Sequence, residues 1–226
     1  MNLPDGAFID ADGVWTQIMS MPGPGRAALF LDRDGVLIEE GHYLCRADDV
    51  RLIPGAAGVI SAANGLGVPV VIVTNQGGIG RGFYGWDDFA AVQERMLDEL
   101  AAAGARVDGV YASPFHPEGV APYDQADHPA RKPNPGMMLM AADRLELDLA
   151  RSWIIGDHAS DLKAAKRAGL AGGLHVMTGH GAHDGEHEAA MALSDKGFRA
   201  LAAESIADAP AMVPLLGPTY TKGHYQ

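Results

Sequence analysis

The chain of 226 residues has a single cysteine, Cys45, so no disulfide bond can form within it. A cysteine-poor chain suits a reducing compartment. Apolar runs are also short, and none approaches the roughly 18 residues that a membrane-spanning helix requires. The first residues, MNLPDGAFIDADG, include acids and lack the basic start and long apolar run of a signal peptide. We therefore expect a cytoplasmic protein that does not enter a membrane.

Basic residues are scarce relative to acidic ones. The chain has 17 Lys and Arg against 29 Asp and Glu, which gives a formal net charge of −12. This balance argues against nucleic acids and anionic membrane surfaces as partners, because both are negatively charged. Hydrophobic residues make up 47% of the chain and charged residues 20%, which is typical of a soluble globular protein. The length suits one α/β domain with a substantial core.

Short apolar runs alternate with longer amphipathic segments after the Pro/Gly-rich MPGPGR of residues 21–26. The pattern predicts strands at 27–31, 68–73, 107–112, 152–156 and 173–177, and helices at 54–65, at 86–103, from 135 onwards, and in a segment ending at 168. Repeated strand–helix units predict a three-layer, Rossmann-like parallel sheet with helices on both faces. In such sheets, ligands bind beyond the carboxyl ends of the strands.

The segment 86–103 has the clearest helical pattern in the chain. Its apolar side chains recur at spacings of three and four, and we interpret them as core: Phe89, Val92, Met96 and Leu100. Gly65 is expected to end the preceding helix. Asn134 is expected to cap the helix whose first residue is Pro135.

The two ends of the chain differ from its centre. Residues 1–25 are predicted to be an N-terminal extension, and residues 26–226 a single domain. The segment 179–196 is polar and rich in glycine, which predicts a solvated loop or insert. Its histidines, together with His175, raise the alternative of a metal site: His180, His183 and His187. Beyond it, the segment 198–216 is expected to add a short strand and a helix capped by Ser205.

Polar residues gather where the predicted strands end. They are Asp32 and Asp34 after the first strand, Thr74, Asn75 and Gln76 after the second, Asp157 and Asp161 after the fourth, and Arg131 and Lys132 before the helix at 135. Taken alone, paired acids also occur as turn formers or helix caps. Carboxylates at this density suit Mg²⁺, which leaves coordination positions for water and phosphate. A carboxylate can attack phosphorus when a metal and a lysine offset the repulsion between the two anions.

Four of these segments resemble the motifs of the haloacid dehalogenase superfamily: FLDRDGV, VTNQ, RKPNPGM and IIGDHASD. Further segments are similar, in order and spacing, to the branch of D-glycero-D-manno-heptose-1,7-bisphosphate and histidinol-phosphate phosphatases: GHY, VVIVTNQGGIGRGFY, FHPEG and RKPNPGMM. The resemblance covers about residues 27–178. It implies a magnesium-dependent phosphatase that forms an aspartyl-phosphate intermediate.

The resemblance also implies a role for each matching residue. Asp32 would be the nucleophile and a metal ligand. Asp34 would be the general acid/base and would offer its backbone carbonyl to the metal, and Asp157 would complete the metal site. Thr74 would hold the phosphoryl group, and Lys132 would neutralise it and the nucleophile. Apart from the resemblance, we expect Asp161 to orient Lys132. The rest of the substrate would contact a larger set: Arg131, Asn75, Gln76, Glu40, Gly41, His42 and Tyr43.

Members of this branch have little or no cap domain, and the spacing here agrees. The segment from Asp34 to Thr74 is used up by one loop, one helix and one strand, so we expect no large cap and an open site. Relatives carry a structural zinc in the loop after the third strand, at positions that here are Ser113, Phe115, His128 and Ala130. Of these four residues, only His128 can bind zinc. Structural zinc sites normally use four protein ligands, so we expect no structural zinc here.

The expected activity is hydrolysis of a phosphoric monoester. The partner is expected to be a small phosphorylated metabolite, foremost D-glycero-D-manno-heptose 1,7-bisphosphate, from which the 7-phosphate would be removed. Histidinol phosphate or another small metabolite is the alternative within the class. A phospholigand-binding protein without turnover is the alternative from another class. Transfer of the phosphoryl group to a second acceptor, as in phosphoglucomutases, is a third hypothesis. The protein is expected to be a monomer or a small homo-oligomer.

Overall fold

The computed structural model describes residues 3–41 and 43–217. His42, one of the residues predicted to contact substrate, lies outside the described residues. None of the helices in the described part of the chain has the length and apolar character of a membrane-spanning segment.

Eight strands form one mixed, mostly parallel sheet. They are β1 (Ala7–Ile9), β2 (Trp15–Ile18), β3 (Leu29–Leu31), β4 (Val70–Asn75), β5 (Gly109–Ser113), β6 (Trp153–Gly156), β7 (Gly172–Val176) and β8 (Arg199–Ala203). Their order across the sheet is β1-β2-β5-β4-β3-β6-β7-β8. All pairs from β5 to β8 are parallel, which confirms the predicted α/β sheet. Strand β3 lies between β4 and β6, so the ends of these three strands are neighbours.

The N-terminal segment adds two antiparallel strands to this sheet. Strand β2 pairs with β5, with Trp15 opposite Ala112, and β1 pairs with β2. The fully buried indole of Trp15 stacks on Trp86 and contacts the ring of Phe89 edge-on. Residues 7–18 therefore continue the main sheet, although no strand was predicted within the N-terminal extension of residues 1–25. Strands of three and four residues are too short to show the alternation that would have revealed them.

Helices cover both faces of the sheet. They are α1 (Ala56–Gly65), α2 (Gly77–Gly80), α3 (Trp86–Ala102), α4 (Gly136–Leu145), α5 (Ala159–Ala168), α6 (Glu186–Met191) and α7 (Ala209–Met212). Four short 3₁₀ turns complete the described elements, at Ala47–Asp49, Leu149–Arg151, Ile206–Asp208 and Pro214–Leu216.

Two apolar cores lie on the two sides of the sheet. Helices α1 and α3 contribute to one core, and α4 and α5 contribute to the other. The predicted apolar face of α3 is buried in the first core, with all four side chains at most 1% exposed: Phe89, Val92, Met96 and Leu100. Together these layers confirm the three-layer architecture.

Two helix boundaries differ from those predicted. Helix α1 includes Gly65, and the left-handed glycine beyond it is Gly67, with φ of +69°. Helix α4 begins at Gly136 with Pro135 at its cap, so the prediction of Asn134 as the cap was wrong. The Asn134 amide instead donates to the carbonyl oxygens of Asp127 and His128, where it stabilises the preceding loop.

The C-terminal segment is more ordered than its polar composition indicated. Residues 179–196, predicted as a loop or insert, contain helix α6. Strand β8 and the cap at Ser205 are as predicted, and the Ser205 hydroxyl accepts a hydrogen bond from the Ala207 N–H. The single helix predicted after this cap is instead a 3₁₀ turn, the four-residue α7 and a second 3₁₀ turn.

Loops, and not a folded cap, surround the carboxyl ends of the central strands. Residues 32–55 contain one 3₁₀ turn, and residues 114–135 contain no helix or strand among the described positions. The prediction of no large cap is thus confirmed for the described residues, and the edge of the sheet opens to solvent.

Candidate active site

A cavity of about 540 Å³ lies at the carboxyl ends of β3, β4 and β6. Its lining includes twelve of the predicted site residues: Asp32, Asp34, Glu40, Gly41, Tyr43, Thr74, Asn75, Gln76, Arg131, Lys132, Asp157 and Asp161. Residues from four separate segments converge here because β3 has β4 on one side and β6 on the other. This is the crevice where open parallel sheets bind ligands.

Asp32 follows β3 directly and is held by backbone and side-chain contacts. Its N–H donates to the Ile155 carbonyl, and its Oδ1 accepts from the Arg33 N–H at 2.7 Å. Its Oδ2 lies 2.9 Å from the ammonium of Lys132. Burial raises the pKa of Asp32 to about 6, although Lys132 opposes this rise. The carboxylate is therefore fixed in place and poorly hydrated.

Lys132 contacts three oxygen atoms inside the protein through its ammonium group. Its Nζ lies 2.9 Å from the Val73 carbonyl oxygen, 2.9 Å from Asp32 Oδ2 and 2.6 Å from Asp161 Oδ1. Burial alone would lower the pKa of Lys132, but Asp161 and Asp32 raise it above its usual value. The lysine is thus a buried, permanently charged cation beside Asp32, with Asp161 on its other side.

Replacing Lys132 with methionine should destabilise the fold. The change leaves Asp32 and the fully buried Asp161 without their cation. Breaking a buried pair in this way costs about 3–5 kcal/mol, because an uncompensated charge stays buried. Urea unfolding without added metal measures the loss in free energy of unfolding. Lys163→Met, at an exposed position of helix α5, is the matched control. A loss no larger than that of the control would contradict this account of Lys132.

Asp157 begins the turn between β6 and α5, and its two carboxylate oxygens differ in their contacts. Its Oδ2 accepts a hydrogen bond of 2.8 Å from the His180 N–H, whereas its buried Oδ1 has no hydrogen-bond partner among the residues that the structure describes. Burial raises the pKa of Asp157 to about 9, and Asp32 and Asp161 add to the rise. Oxygen atoms of these three carboxylates lie within 4.8 Å of one another. One lysine does not neutralise three acids, so the site favours a further cation.

Two glycines allow the backbone to approach Asp157 closely. Gly35 has φ of +77°, and a Cβ there would lie 2.3 Å from Asp157 Oδ2. Gly179 has φ of +57°, and a Cβ there would lie at the same distance from that oxygen. The Thr178 hydroxyl donates to the Gly35 carbonyl and ties the two loops together. A side chain at either glycine would push the loops away from the carboxylate.

Asp34 is oriented by a buried arginine that the sequence analysis did not identify. The Arg33 side chain is buried, and its Nη2 lies 2.9 Å from both carboxylate oxygens of Asp34. Its guanidinium also lies over the ring of Phe89, 5.2 Å from the centroid. Gln76 adds a hydrogen bond of 2.8 Å from its Nε2 to Asp34 Oδ2. The sequence gives no signal for this role of Arg33, because Gln76 and Phe89, which also contact its guanidinium, come from distant segments.

The amides of Asn75 and Gln76 are engaged by the protein. Asn75 accepts from the Lys132 N–H and donates to the Lys132 carbonyl, both at 3.0 Å. Besides contacting Asp34, Gln76 donates to Thr74 Oγ1 at 2.9 Å and accepts from the Tyr84 hydroxyl at 2.6 Å. Both were predicted to contact substrate, whereas these contacts favour a role in orienting the residues around them.

The outer part of the cavity contains the remaining predicted residues. Arg131 donates from Nη1 to the Phe115 carbonyl at 2.5 Å. Burial raises the pKa of Glu40 to about 7, and Asp34 and Asp32 add to the rise. Tyr43 has φ of 56°, and its hydroxyl accepts from Arg81 at 2.5 Å.

An aromatic stack occupies the loop in which relatives were expected to carry zinc. The rings of Phe115 and His128 lie with centroids 3.4 Å apart and an interplanar angle of 12°. The ring of Tyr123 contacts Phe115 edge-on, and Ser113 and Ala130 are buried nearby. Stacked rings thus pack this loop against the end of β5. The absence of a structural zinc stays a prediction.

The cavity is also lined by residues that were not predicted as part of the site: Arg33, Tyr84, His116 and His158, together with His180, which was considered only for a separate metal site. His158 directly follows Asp157, and this adjacency to a predicted metal ligand was an available signal. His180 lies in the segment that was interpreted as a solvated loop. Only the fold brings that segment back over the end of β6.

This fold, with acids after β3 and β6 and a buried lysine between them, is that of a HAD-like hydrolase. A family model described as "HAD-hyrolase-like" matches residues 129–209. D-glycero-beta-D-manno-heptose-1,7-bisphosphate 7-phosphatase of Mesorhizobium japonicum is 48% identical over 166 residues, 73% of this chain and 76% of the relative. The protein of the same name from Pasteurella multocida is 36% identical and covers 83% of this chain and 97% of its own length.

A solved structure is also similar to this chain. D,D-heptose 1,7-bisphosphate phosphatase from B. bronchiseptica, complexed with magnesium and phosphate, superposes with a TM-score of 0.66 at 30% identity. The match covers 80% of this chain and 94% of that one. The chain therefore belongs to the HAD-like phosphatases, in the branch of the heptose-1,7-bisphosphate and histidinol-phosphate phosphatases, and is a hydrolase of phosphoric monoesters.

Proposed function

We propose that this protein is a magnesium-dependent phosphomonoesterase that removes the 7-phosphate of D-glycero-D-manno-heptose 1,7-bisphosphate through an aspartyl-phosphate on Asp32. The observation that carries the proposal is the arrangement of Asp32. Its carboxylate lies at the floor of an open cavity, with the charged Lys132 on one side. Nearby is a carboxylate oxygen of Asp157 that has no hydrogen-bond partner in the described part of the chain.

The residues present fit a magnesium ion. The proposed ligands are Asp32, the backbone carbonyl of Asp34, and Asp157, and hard oxygen donors of this kind are those that Mg²⁺ prefers. The buried Oδ1 of Asp157 needs a positively charged or hydrogen-bonding partner. When bound, the ion would supply Lewis acidity and charge neutralisation at the phosphoryl group.

The first chemical step forms the bond between Asp32 and phosphorus. Asp32 attacks in line, the bond from phosphorus to the ester oxygen breaks, and Asp34 gives its proton to the leaving alcohol. Lys132 offsets negative charge on the nucleophile and the phosphoryl oxygens. The Thr74 hydroxyl donates to one of those oxygens.

The second step hydrolyses the aspartyl-phosphate. Asp34, now ionised, takes a proton from a water molecule that attacks phosphorus. The bond between phosphorus and Asp32 breaks, so inorganic phosphate leaves and the carboxylate is regenerated. Arg33 and Gln76 hold Asp34 in one orientation for both proton transfers. The open cavity admits water freely, which favours hydrolysis over transfer to a second acceptor.

The choice of substrate rests on the relatives and on the cavity. The curated relatives are named for the heptose bisphosphate. Arg131, which lines the cavity, would contact groups beyond the scissile phosphate. Histidinol phosphate is the alternative within the class. A domain boundary near residue 25, a cytoplasmic location and a monomeric or small oligomeric state stay predictions.

A panel of phosphate esters tests this proposal. The purified protein is assayed with the heptose bisphosphate, histidinol phosphate, several hexose phosphates and 4-nitrophenyl phosphate, with and without Mg²⁺. We expect the largest kcat/KM for the heptose bisphosphate, and turnover only with Mg²⁺. A preference for histidinol phosphate would contradict the substrate. No turnover of any ester with Mg²⁺ would favour a phospholigand-binding protein instead.

Magnesium should also stabilise the folded protein. In this proposal the ion binds Asp32 and Asp157 in the native state and relieves the repulsion among the three carboxylates of Asp32, Asp157 and Asp161. At a concentration 100 times the dissociation constant, the gain in free energy of unfolding is about 2.7 kcal/mol. Thermal unfolding with EDTA and with increasing Mg²⁺ measures it. Asp157→Asn should lose most of the shift, and an equal shift in that variant would exclude Asp157 as a ligand.

A further inference from the structure

A second group of possible metal ligands lies on the outer side of Asp157. The imidazole rings of His158 and His180 stack with centroids 4.6 Å apart and an interplanar angle of 25°. One ligand atom from each ring and one from Asp157 lie within 4.8 Å of one another. Both imidazoles line the cavity, with side chains 39% and 33% exposed. An ion from solvent can therefore reach them.

Further carboxylates surround the two imidazoles. Glu186 Oε1 lies 3.4 Å from His158 Nδ1, and Glu40 Oε2 lies 3.5 Å from His180 Nδ1. His180 Nδ1 also lies 3.7 Å from Asp157 Oδ2. Carboxylates next to metal-binding histidines fix the rings and increase their basicity. Three carboxylates around two imidazoles disfavour an anion, such as a second substrate phosphate, and favour a cation.

The backbone holds both histidines in place. The His158 N–H donates to Asp161 Oδ2 at 3.0 Å at the start of α5, and the His180 N–H donates to Asp157 Oδ2. The ring of His183 packs edge-on against His180 at 4.8 Å. The ligand atoms are therefore close together before any ion binds, which lowers the cost of ordering a site.

We propose that Asp157, His158 and His180 bind a divalent transition-metal ion such as Zn²⁺ at a second site beside the magnesium position. Two imidazoles and one carboxylate suit this class of ion, whereas Mg²⁺ prefers oxygen ligands alone. Asp157 would be a ligand in both sites. The second ion therefore competes with Mg²⁺ for the negative charge of the Asp157 carboxylate and inhibits the phosphatase. The inhibition rests on the proposed function, whereas the binding does not.

Binding is tested first, without reference to activity. Co²⁺ and Zn²⁺ are titrated into the full chain in the presence of saturating Mg²⁺, with Co²⁺ absorption and calorimetry as readouts. We expect one equivalent to bind, and the affinity to fall at least about tenfold in His158→Ala and in His180→Ala. His116→Ala, which removes a histidine of the same cavity outside this cluster, is the matched control and should bind like the original.

Equal binding by all three variants would overturn the proposed site, as would an equal loss in the His116→Ala control. The thermal unfolding curve of each variant without metal verifies that the fold is retained. Activity is tested second, with 4-nitrophenyl phosphate. Zn²⁺ should inhibit the original protein, more Mg²⁺ should relieve the inhibition, and His180→Ala should need at least about tenfold more Zn²⁺. Binding without any phosphatase activity would refute the proposed function and leave the metal site standing.

Discussion

Asp32→Asn is expected to abolish turnover while the protein stays folded. The amide has the shape of the carboxylate but cannot attack phosphorus, so kcat should fall by a factor on the order of 10⁴ or more. The free energy of unfolding should not fall, because the change removes one of three carboxylates that repel one another. Lys132 keeps its contacts with Asp161 and the Val73 carbonyl. Initial rates with 4-nitrophenyl phosphate at saturating Mg²⁺ measure the loss.

A second readout tests directly whether a covalent phosphoryl-enzyme forms and whether it depends on Asp32. After a rapid acid quench of the reaction with a radiolabelled phosphate ester, the original protein should carry covalent label and Asp32→Asn should carry none. Asp98→Asn, at an exposed position of α3, is the matched control and should resemble the original in rate and labelling. Rates of Asp32→Asn within tenfold of the original would refute the covalent mechanism.

The central fold could be predicted because each central element carries its own local signal. The strands β3, β4 and β6 are apolar runs buried on both sides, and α3 has an uninterrupted apolar stripe along one face. The N-terminal strands could not be predicted in this way. They are short, and their place in the sheet depends on the packing of Trp15 against Trp86, far away in sequence.

The helix ends show a similar limit. A proline and a glycine marked the ends of two helices to within one or two residues, but single residues do not decide the last turn. Asn134 has the side chain of a good cap, yet its amide binds loop carbonyls whose position only the tertiary structure sets. Such competition between local and long-range hydrogen bonds is common for Asn.

The site follows the same rule. Residues directly after a strand could be placed at the sheet edge from the sequence, and the structure brings Asp32, Thr74 and Asp157 together there. Roles that depend on a partner from another segment could not be predicted. Arg33 orients Asp34 because Phe89 lies beneath its guanidinium, and His180 reaches Asp157 because the loop after β7 turns back over the sheet.

Asp34→Asn should lower kcat/KM by an amount that depends on the leaving group. With a sugar phosphate, the departing alkoxide needs the proton of Asp34, and its loss should cost a factor of about 10² to 10⁴. With 4-nitrophenyl phosphate the departing phenolate is stable without a proton, so the loss should be far smaller. Because kcat/KM reports the steps up to formation of the aspartyl-phosphate, the role of Asp34 as a base in the second step does not affect this comparison.

Gln76→Ala supplies the control for geometry. It leaves the Asp34 carboxyl intact but removes the hydrogen bond of 2.8 Å from Nε2, and Arg33 continues to hold the carboxylate. We expect a smaller loss of kcat/KM that is similar for both esters. The orientation of Asp34 at the cavity floor changes, but Asp34 remains as the proton donor. If Asp34→Asn lowered kcat/KM equally for the sugar phosphate and the nitrophenyl ester, Asp34 would act through the metal site and not as the proton donor. The proton would then have to come from another group at the cavity, of which Glu40, with its pKa raised by burial to about 7, is the candidate to replace by Gln next.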